Sequence, residues 1–283
     1  MSQRALITGT SSGIGLDTAI LLAEAGWKVV ATLRNLDKRG PLEAAATAKG
    51  VDLEVRHLDV ASPDSITSCI KGVESELGPI DALVNNAGFG RLGSVEQLGH
   101  DDLQHVMDTN FFGVWNTTRA VLAGMRKRGR GRIVTVTSIG GLIGQPFNDS
   151  YCAAKFAVEG MMESLAPVAK ELGIHVSVIE PGPVHTEFVA STRALSAELL
   201  ANGAPGYEAL IGNYVSSIAD VFATYGQSGE DIGRIIASVL AEKNPHLRYL
   251  TSDYAQTIAK QKYVDTTGDG IVEFFRGRLR PSG

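Results

Sequence analysis

The chain has little of several things that would fix its class at once. It has two cysteines in 283 residues, Cys69 and Cys152, far apart in sequence. That argues against a disulfide framework or a cysteine-held zinc site, and it fits a reducing compartment. No apolar run is long enough to span a bilayer. No charge of one sign dominates, since the formal balance is 26 − 31 = −5. The densest basic run, Arg126 to Arg132, lies between a helix pattern and a strand pattern. Cations there suit the negative end of a helix dipole better than a nucleic-acid surface. Internal repeats and low-complexity segments are missing. The first residues run directly into Ala5-Leu6-Ile7-Thr8, a strand pattern that gives no sign of a signal peptide. His100, His105 and His185 lack metal-ligand spacing. The calcium-loop-like stretch Asp265 to Gly270 would need a bidentate acid where Arg276 stands. The expectation is a cytoplasmic enzyme or binding protein with no nucleic acid, membrane span or metal.

What the chain does have is regular alternation. With 44% hydrophobic and 20% charged residues, it is long enough to bury a substantial core. Apolar strand patterns at 4–8, 27–33, 53–58, 80–84, 132–137, 174–179 and 247–250 alternate with helical periods. The helical periods fall at 13–25, 42–49, 63–77, 101–128, 151–172 and 230–243, and Gly or Pro marks many of the joins. The pattern predicts an α/β fold of the Rossmann type. It would be a doubly wound parallel sheet of about seven strands with helices on both faces, one domain over 1–283. Ligands in such sheets bind beyond the carboxyl ends of the strands. From Pro181 to Tyr225 the period blurs, and a substrate-covering insertion is expected at about 185–228.

The candidate chemistry clusters at those strand ends. Tyr151 and Lys155 are four residues apart at the start of a helix, so they share a face. Moving a phenol from its ordinary value of about 10 to about 7 requires about 4 kcal/mol of preference for the phenolate. A neighbouring ammonium supplies part of that. Ser138, after the fifth strand, adds a hydroxyl for the oxygen being protonated, which points to proton transfer at an alcohol or carbonyl oxygen. Gly9, Gly13 and Gly15 open the first helix with spacing G-x-x-x-G-x-G. Such a turn lets a pyrophosphate approach the backbone and the helix N-terminus. At the end of the second strand stands Arg34 rather than an acid. An acid there would bind the ribose hydroxyls of NAD, whereas an Arg pairs with a 2′-phosphate, so NADP(H) is favoured over NAD(H), with Asp37 nearby as a counter-signal. Asp59 either accepts from an adenine amino group or caps the helix opening at Pro63. Asn85-Asn86-Ala87-Gly88 ends the fourth strand, with amides to fix a loop and a Gly for close approach. Asn110, amid Phe residues in the long helix, needs a polar partner. It is a satisfied core amide or the holder of a water.

Taken in order, these motifs closely resemble the short-chain dehydrogenase/reductase family, firmly over about residues 4 to 190. The resemblance implies a catalytic set of Asn110, Ser138, Tyr151 and Lys155, with Tyr151 as acid/base and Asn110 anchoring a relay water. It implies cofactor contacts from Gly9, Ser11, Ser12, Gly13, Ile14 and Gly15, then Arg34, Asp59, Val60, Asn86, Ala87 and Gly88. Tyr151, Lys155, Pro181, Gly182, Val184 and Thr186 complete that list. Within the family the chain is similar to the branch of estradiol 17β-dehydrogenase and photoreceptor retinol dehydrogenase. The stretches Ala31 to Leu36, Gly144 to Cys152 and Gly182 to Thr186 carry that likeness. The branch implies NADP(H), a bulky apolar alcohol or carbonyl substrate, and a homodimer or homotetramer. Ile139, Leu142, Ile143, Phe147, Asn148, Val184 and Phe188 would line the substrate pocket, with Gln145 a polar departure. A 3-oxoacyl thioester reductase and a non-catalytic NADP(H)-binding sensor are the alternatives.

Overall fold

Strand burial explains the architecture. In β1 (Arg4–Thr8) the residues alternate between two cores: Ala5 and Ile7 enter one and Leu6 the other. The same split recurs in β4 (Ala82–Asn85) and β5 (Gly131–Val136). Val84 and Val134 face one side, Leu83 and Ile133 the other. Strands buried on both faces need helices above and below, and these are there. The computed structural model describes residues 3–188, 190, 194, 205–264 and 267–279. The sheet has seven parallel strands in the order β3-β2-β1-β4-β5-β6-β9. The remaining members are β2 (Lys28–Leu33), β3 (Glu54–His57), β6 (Ile174–Glu180) and β9 (Arg248–Leu250). Helices α1 (Gly13–Glu24), α2 (Gly40–Lys49) and α8 (Gly229–Ala241) pack on one face. Helices α3 (Pro63–Glu76), α5 (Gly113–Arg128) and α6 (Asp149–Glu171) pack on the other. The expected α/β doubly wound sheet is the observed one.

Two differences from the expected elements matter. The long helix expected over 101–128 is α4 (His100–Met107), a π-helical turn (Asp108–Phe112) and then α5. Asn110 sits in that turn, fully buried. The second difference lies where the sequence pattern blurred. An 18-residue helix, α7 (Glu208–Tyr225), runs there and leads into a two-residue strand, β8 (Gln227–Ser228), paired with β7 (Val184–His185). Residues 189, 191–193 and 195–204 of the expected covering insertion lie outside the described residues. After β9 come α9 (Asp253–Val264) and α10 (Asp269–Arg278). With α7 they build a third apolar cluster around Ile139, Ile143, Phe147, Ile211, Tyr214 and Phe275.

The outer strand β9 is fastened by charge. Arg248 Nη1 donates to Glu180 at 2.7 Å and also to Glu159, while Nη2 reaches Glu163 at 2.8 Å. Glu180 is fully buried, and burial pushes its carboxyl up to about 7. One guanidinium therefore holds two buried acids. Replacing it, as in Arg248→Leu, leaves Glu180 without its cation and Glu159 with the Lys155 charge alone, and is expected to cost about 3 kcal/mol, read from the urea midpoint.

Candidate active site

The strand order reverses direction between β1 and β4, and a crevice opens where the connections diverge. A cavity of about 630 Å³ occupies it. Much of its lining comes from the residues just beyond the strands. Gly9, Ser11, Ser12, Gly13 and Ile14 follow β1; Arg34 follows β2; Asp59 and Val60 follow β3. Asn86, Ala87 and Gly88 follow β4, Ser138 follows β5, and Pro181, Gly182, Val184 and Thr186 follow β6.

The turn after β1 fits a bound pyrophosphate on its own geometry. Gly9 has φ +71°, and a Cβ on it would sit 2.8 Å from Ala87 Cα. Gly15 does not face the cavity. A Cβ there would come within 2.2 Å of Gly9 O, so its bareness lets helix α1 press against the turn. The helix starts at Ser12 with no side-chain cap and no acid in its first turn. Its first N–H groups are left to meet an anion. Asn86 braces this turn, donating to Thr8 O at 3.0 Å and Gly9 O at 2.8 Å. Asn85 is buried, bonding Thr118 at 3.1 Å, Thr135 at 3.2 Å and Thr117 at 2.6 Å. Asp59 Oδ1 accepts from Ala61 N at 3.0 Å. The cap of the helix at Pro63 is Ser62, so capping is not the use of Asp59.

Tyr151 and Lys155 share the inner face of α6. Lys155 Nζ lies 5.7 Å from the Tyr151 ring centre and donates to Val136 O at 3.0 Å. Lys155 is 5% exposed, and burial pulls its ammonium down to about 8, with Glu159 one turn on opposing the change. Burial is also the larger influence on the Tyr151 phenol and raises it above its ordinary value; the Ser138 hydroxyl acts the other way. Ser138 Oγ accepts from Gly140 N at 3.0 Å, which sets its rotamer at the start of a short 3₁₀ turn (Ile139–Gly141). Asn110 pairs with the backbone of Phe89, Oδ1 accepting at 3.0 Å and Nδ2 donating at 2.8 Å. Both ends of the amide serve the loop after β4. Gly88 lies between them: a Cβ there would be 3.0 Å from Asn110 Oδ1 and 3.7 Å from Lys155 Nζ.

The substrate end differs from expectation. Ile139, Asn148, Val184 and Phe188 line the cavity, and the Phe188 ring lies 5.5 Å from that of Tyr151. Leu142, Ile143 and Phe147 do not. They turn into the third apolar cluster, and Phe147 packs on Tyr207 and Tyr214 instead. Their place is taken by residues not anticipated. These are Tyr214, Val215, Ile218 and Phe222 of α7, with Tyr254 and Arg278 from the C-terminal helices. The spacing of Ile211, Tyr214, Val215, Ile218 and Phe222 is a helical apolar period that would have revealed α7.

This arrangement, an uncapped helix N-terminus in one crevice with Ser138 and the buried pair Tyr151 and Lys155, is that of a nucleotide-linked oxidoreductase fold. The short chain dehydrogenase family model matches residues 3–196, and the chain belongs to that family. The chain is 40% identical over 269 residues to retinol dehydrogenase 8 of Bos taurus, covering 93% of this chain and 86% of that relative. It is 38% identical over 273 residues to 17-beta-hydroxysteroid dehydrogenase type 1 of Homo sapiens, covering 94% and 83%. Among solved structures, an actinorhodin polyketide ketoreductase variant with NADPH superposes with a TM-score of 0.76 at 30% identity, over 88% of this chain and 96% of that one. Among the described residues no helix is long and apolar enough to cross a membrane.

The buried ammonium yields a pH test. Folded Lys155 releases its proton near 8, and the unfolded chain holds it to about 10.4. Between those values the unfolded state binds more protons, so rising pH favours the fold. Lys155→Met lacks this term. The stability of wild type relative to Lys155→Met is expected to rise by about 1 to 2 kcal/mol from pH 8 to 9.5 in urea titrations, below the range where tyrosines ionise.

Proposed function

We propose that the chain is an NADP(H)-dependent oxidoreductase that interconverts a secondary or allylic alcohol and its ketone or aldehyde on a bulky, largely apolar substrate. The observation that carries this reading is the shared cavity. Tyr151, Ser138 and Lys155 border the same space as the uncapped N-terminus of α1. Bound NADP(H) would supply or accept the hydride at the substrate carbon. Ser11, Ser12, Gly13 and Ile14 would hold the pyrophosphate with backbone N–H groups, and Arg34 the 2′-phosphate. Asp59 and Val60 would flank the adenine. Asn86, Ala87 and Gly88 would bound the middle of the cofactor, and Pro181, Gly182, Val184 and Thr186 its nicotinamide end.

In the chain's own chemistry, Ser138 donates a hydrogen bond to the substrate oxygen and Tyr151 exchanges a proton with it. Burial keeps the Tyr151 phenol protonated at neutral pH, the state needed to donate to a carbonyl oxygen during reduction. Lys155 supplies the nearby positive charge that eases departure of that proton. Asn110 acts as a positioning residue, since its amide fixes the Phe89 backbone beside Gly88. Within the 185–228 segment, the described helix α7 serves as the cover of the substrate end. The apolar names of the retinol and steroid relatives support the substrate class, and the NADPH-bound neighbour supports the cofactor. Exposed Phe112 and Trp115 on the π turn and α5, with Phe156 and Val168 on α6, support a homodimer or homotetramer. The composition supports a cytoplasmic location.

Tyr151→Phe is expected to lower kcat about 100- to 10,000-fold while the NADPH Kd changes less than about threefold. Turnover at the wild-type rate would overturn the assignment. Arg34→Asp is expected to reverse the ratio of kcat/KM for NADPH over NADH by about 100-fold or more. An unchanged ratio would remove Arg34 from the cofactor site.

A further inference from the structure

The substrate end of the cavity is not apolar throughout. Of the other charged side chains lining the cavity, Arg34 and Asp59 follow β2 and β3, Glu187 stands just after Thr186, and Lys155 lies under Tyr151. Arg278 is different. It is half-buried in the last turn of α10 and lines the cavity beside Tyr214 and Tyr254. Its guanidinium lies 4.7 Å over the Phe274 ring and 5.5 Å from that of Phe275, and Nη2 donates to the Tyr254 hydroxyl at 3.0 Å. The helix end is pinned as well, since Asn213 of α7 donates to Leu279 O at 3.0 Å. Arg276, two residues back, pairs with Glu273, but among the described residues no acid pairs with Arg278. A guanidinium has five N–H donors and a fork that matches a carboxylate. Here aromatic faces hold it in place, and one hydroxyl takes one donor.

The geometry points to a substrate with two ends: an amphipathic ketone, or its alcohol, carrying a carboxylate remote from the reacting carbon, which Arg278 binds. This rests on the oxidoreductase reading above and narrows its substrate. Asn148, neutral and polar, also lines the cavity and hydrogen-bonds the Tyr214 hydroxyl, which suits the neighbourhood of such a group better than a wholly apolar ligand.

A long-chain keto acid and its methyl ester test this with one carbon skeleton. Wild type is expected to reduce the acid with kcat/KM about 10- to 100-fold above the ester. Arg278→Gln, which keeps a hydrogen-bonding side chain, should erase that margin through KM with kcat little changed. Arg278→Lys should recover part of it. Equal kcat/KM for acid and ester in wild type, or equal losses on both in Arg278→Gln, would overturn the proposal. If neither ketone is reduced, the oxidoreductase reading fails and binding decides the role of Arg278. Quenching of intrinsic fluorescence should then show the acid binding tighter than the ester in wild type by the same factor, and equally in Arg278→Gln. Equal affinities in wild type would again refute it.

Discussion

Lys155 carries an ammonium into the interior with one backbone carbonyl as its hydrogen-bond partner and a phenol ring above it. A buried cation is costly, and the fold tolerates it because several elements converge there. β5 offers the Val136 carbonyl, α6 supplies Tyr151 and Glu159, and Gly88 leaves room at the end of β4. The reversal of strand order between β1 and β4 opens the crevice, and the bare backbone of the Gly9 to Gly15 turn borders it. The chemistry of the proposed reaction and the packing of the sheet are thus aspects of one arrangement.

Buried charge recurs one turn along α6. Glu159 faces Lys155 on one side and, with Glu180, the Arg248 guanidinium on the other. That chain of charges joins the site to the outer strand of the sheet, so β9 is more than a sheet edge. The C-terminal helices play a related part. Lys262 of α9 lies over the Phe156 ring and donates to the Leu142 carbonyl. The segment after Ser138 is therefore held from below by residues more than a hundred positions away.

Much of this was legible in the sequence, because it depends on local pattern. The alternation of strand patterns such as 4–8 with helical periods such as 13–25 predicted a doubly covered sheet, and Tyr151 and Lys155 fall on one helix face by spacing alone. Other features were not legible. Phe147, Leu142 and Ile143 are apolar and close to Ser138, but nearness in sequence does not say which way a side chain turns. Phe147 has φ +59°, a left-handed backbone that no residue type in that stretch announces. Asn110 was read inside a regular helix, and its π turn has no sequence signature that periodicity detects. Helix α7 was hidden by the Asn202, Gly203, Pro205 and Gly206 signals before it, although its own apolar period is clear. Arg278 could not be placed, because its neighbours Tyr254 and Tyr214 meet it only through tertiary packing.

The central claim is that the Lys155 charge governs how readily the Tyr151 phenol gives up its proton. The kcat ratio of wild type to Lys155→Met, followed from pH 6.5 to 9.5 with saturating cofactor, tests it directly. The account predicts that the ratio falls about tenfold as Lys155 loses its proton near pH 8, since the charge that assists Tyr151 goes with it. A ratio that stays constant across that range would contradict it.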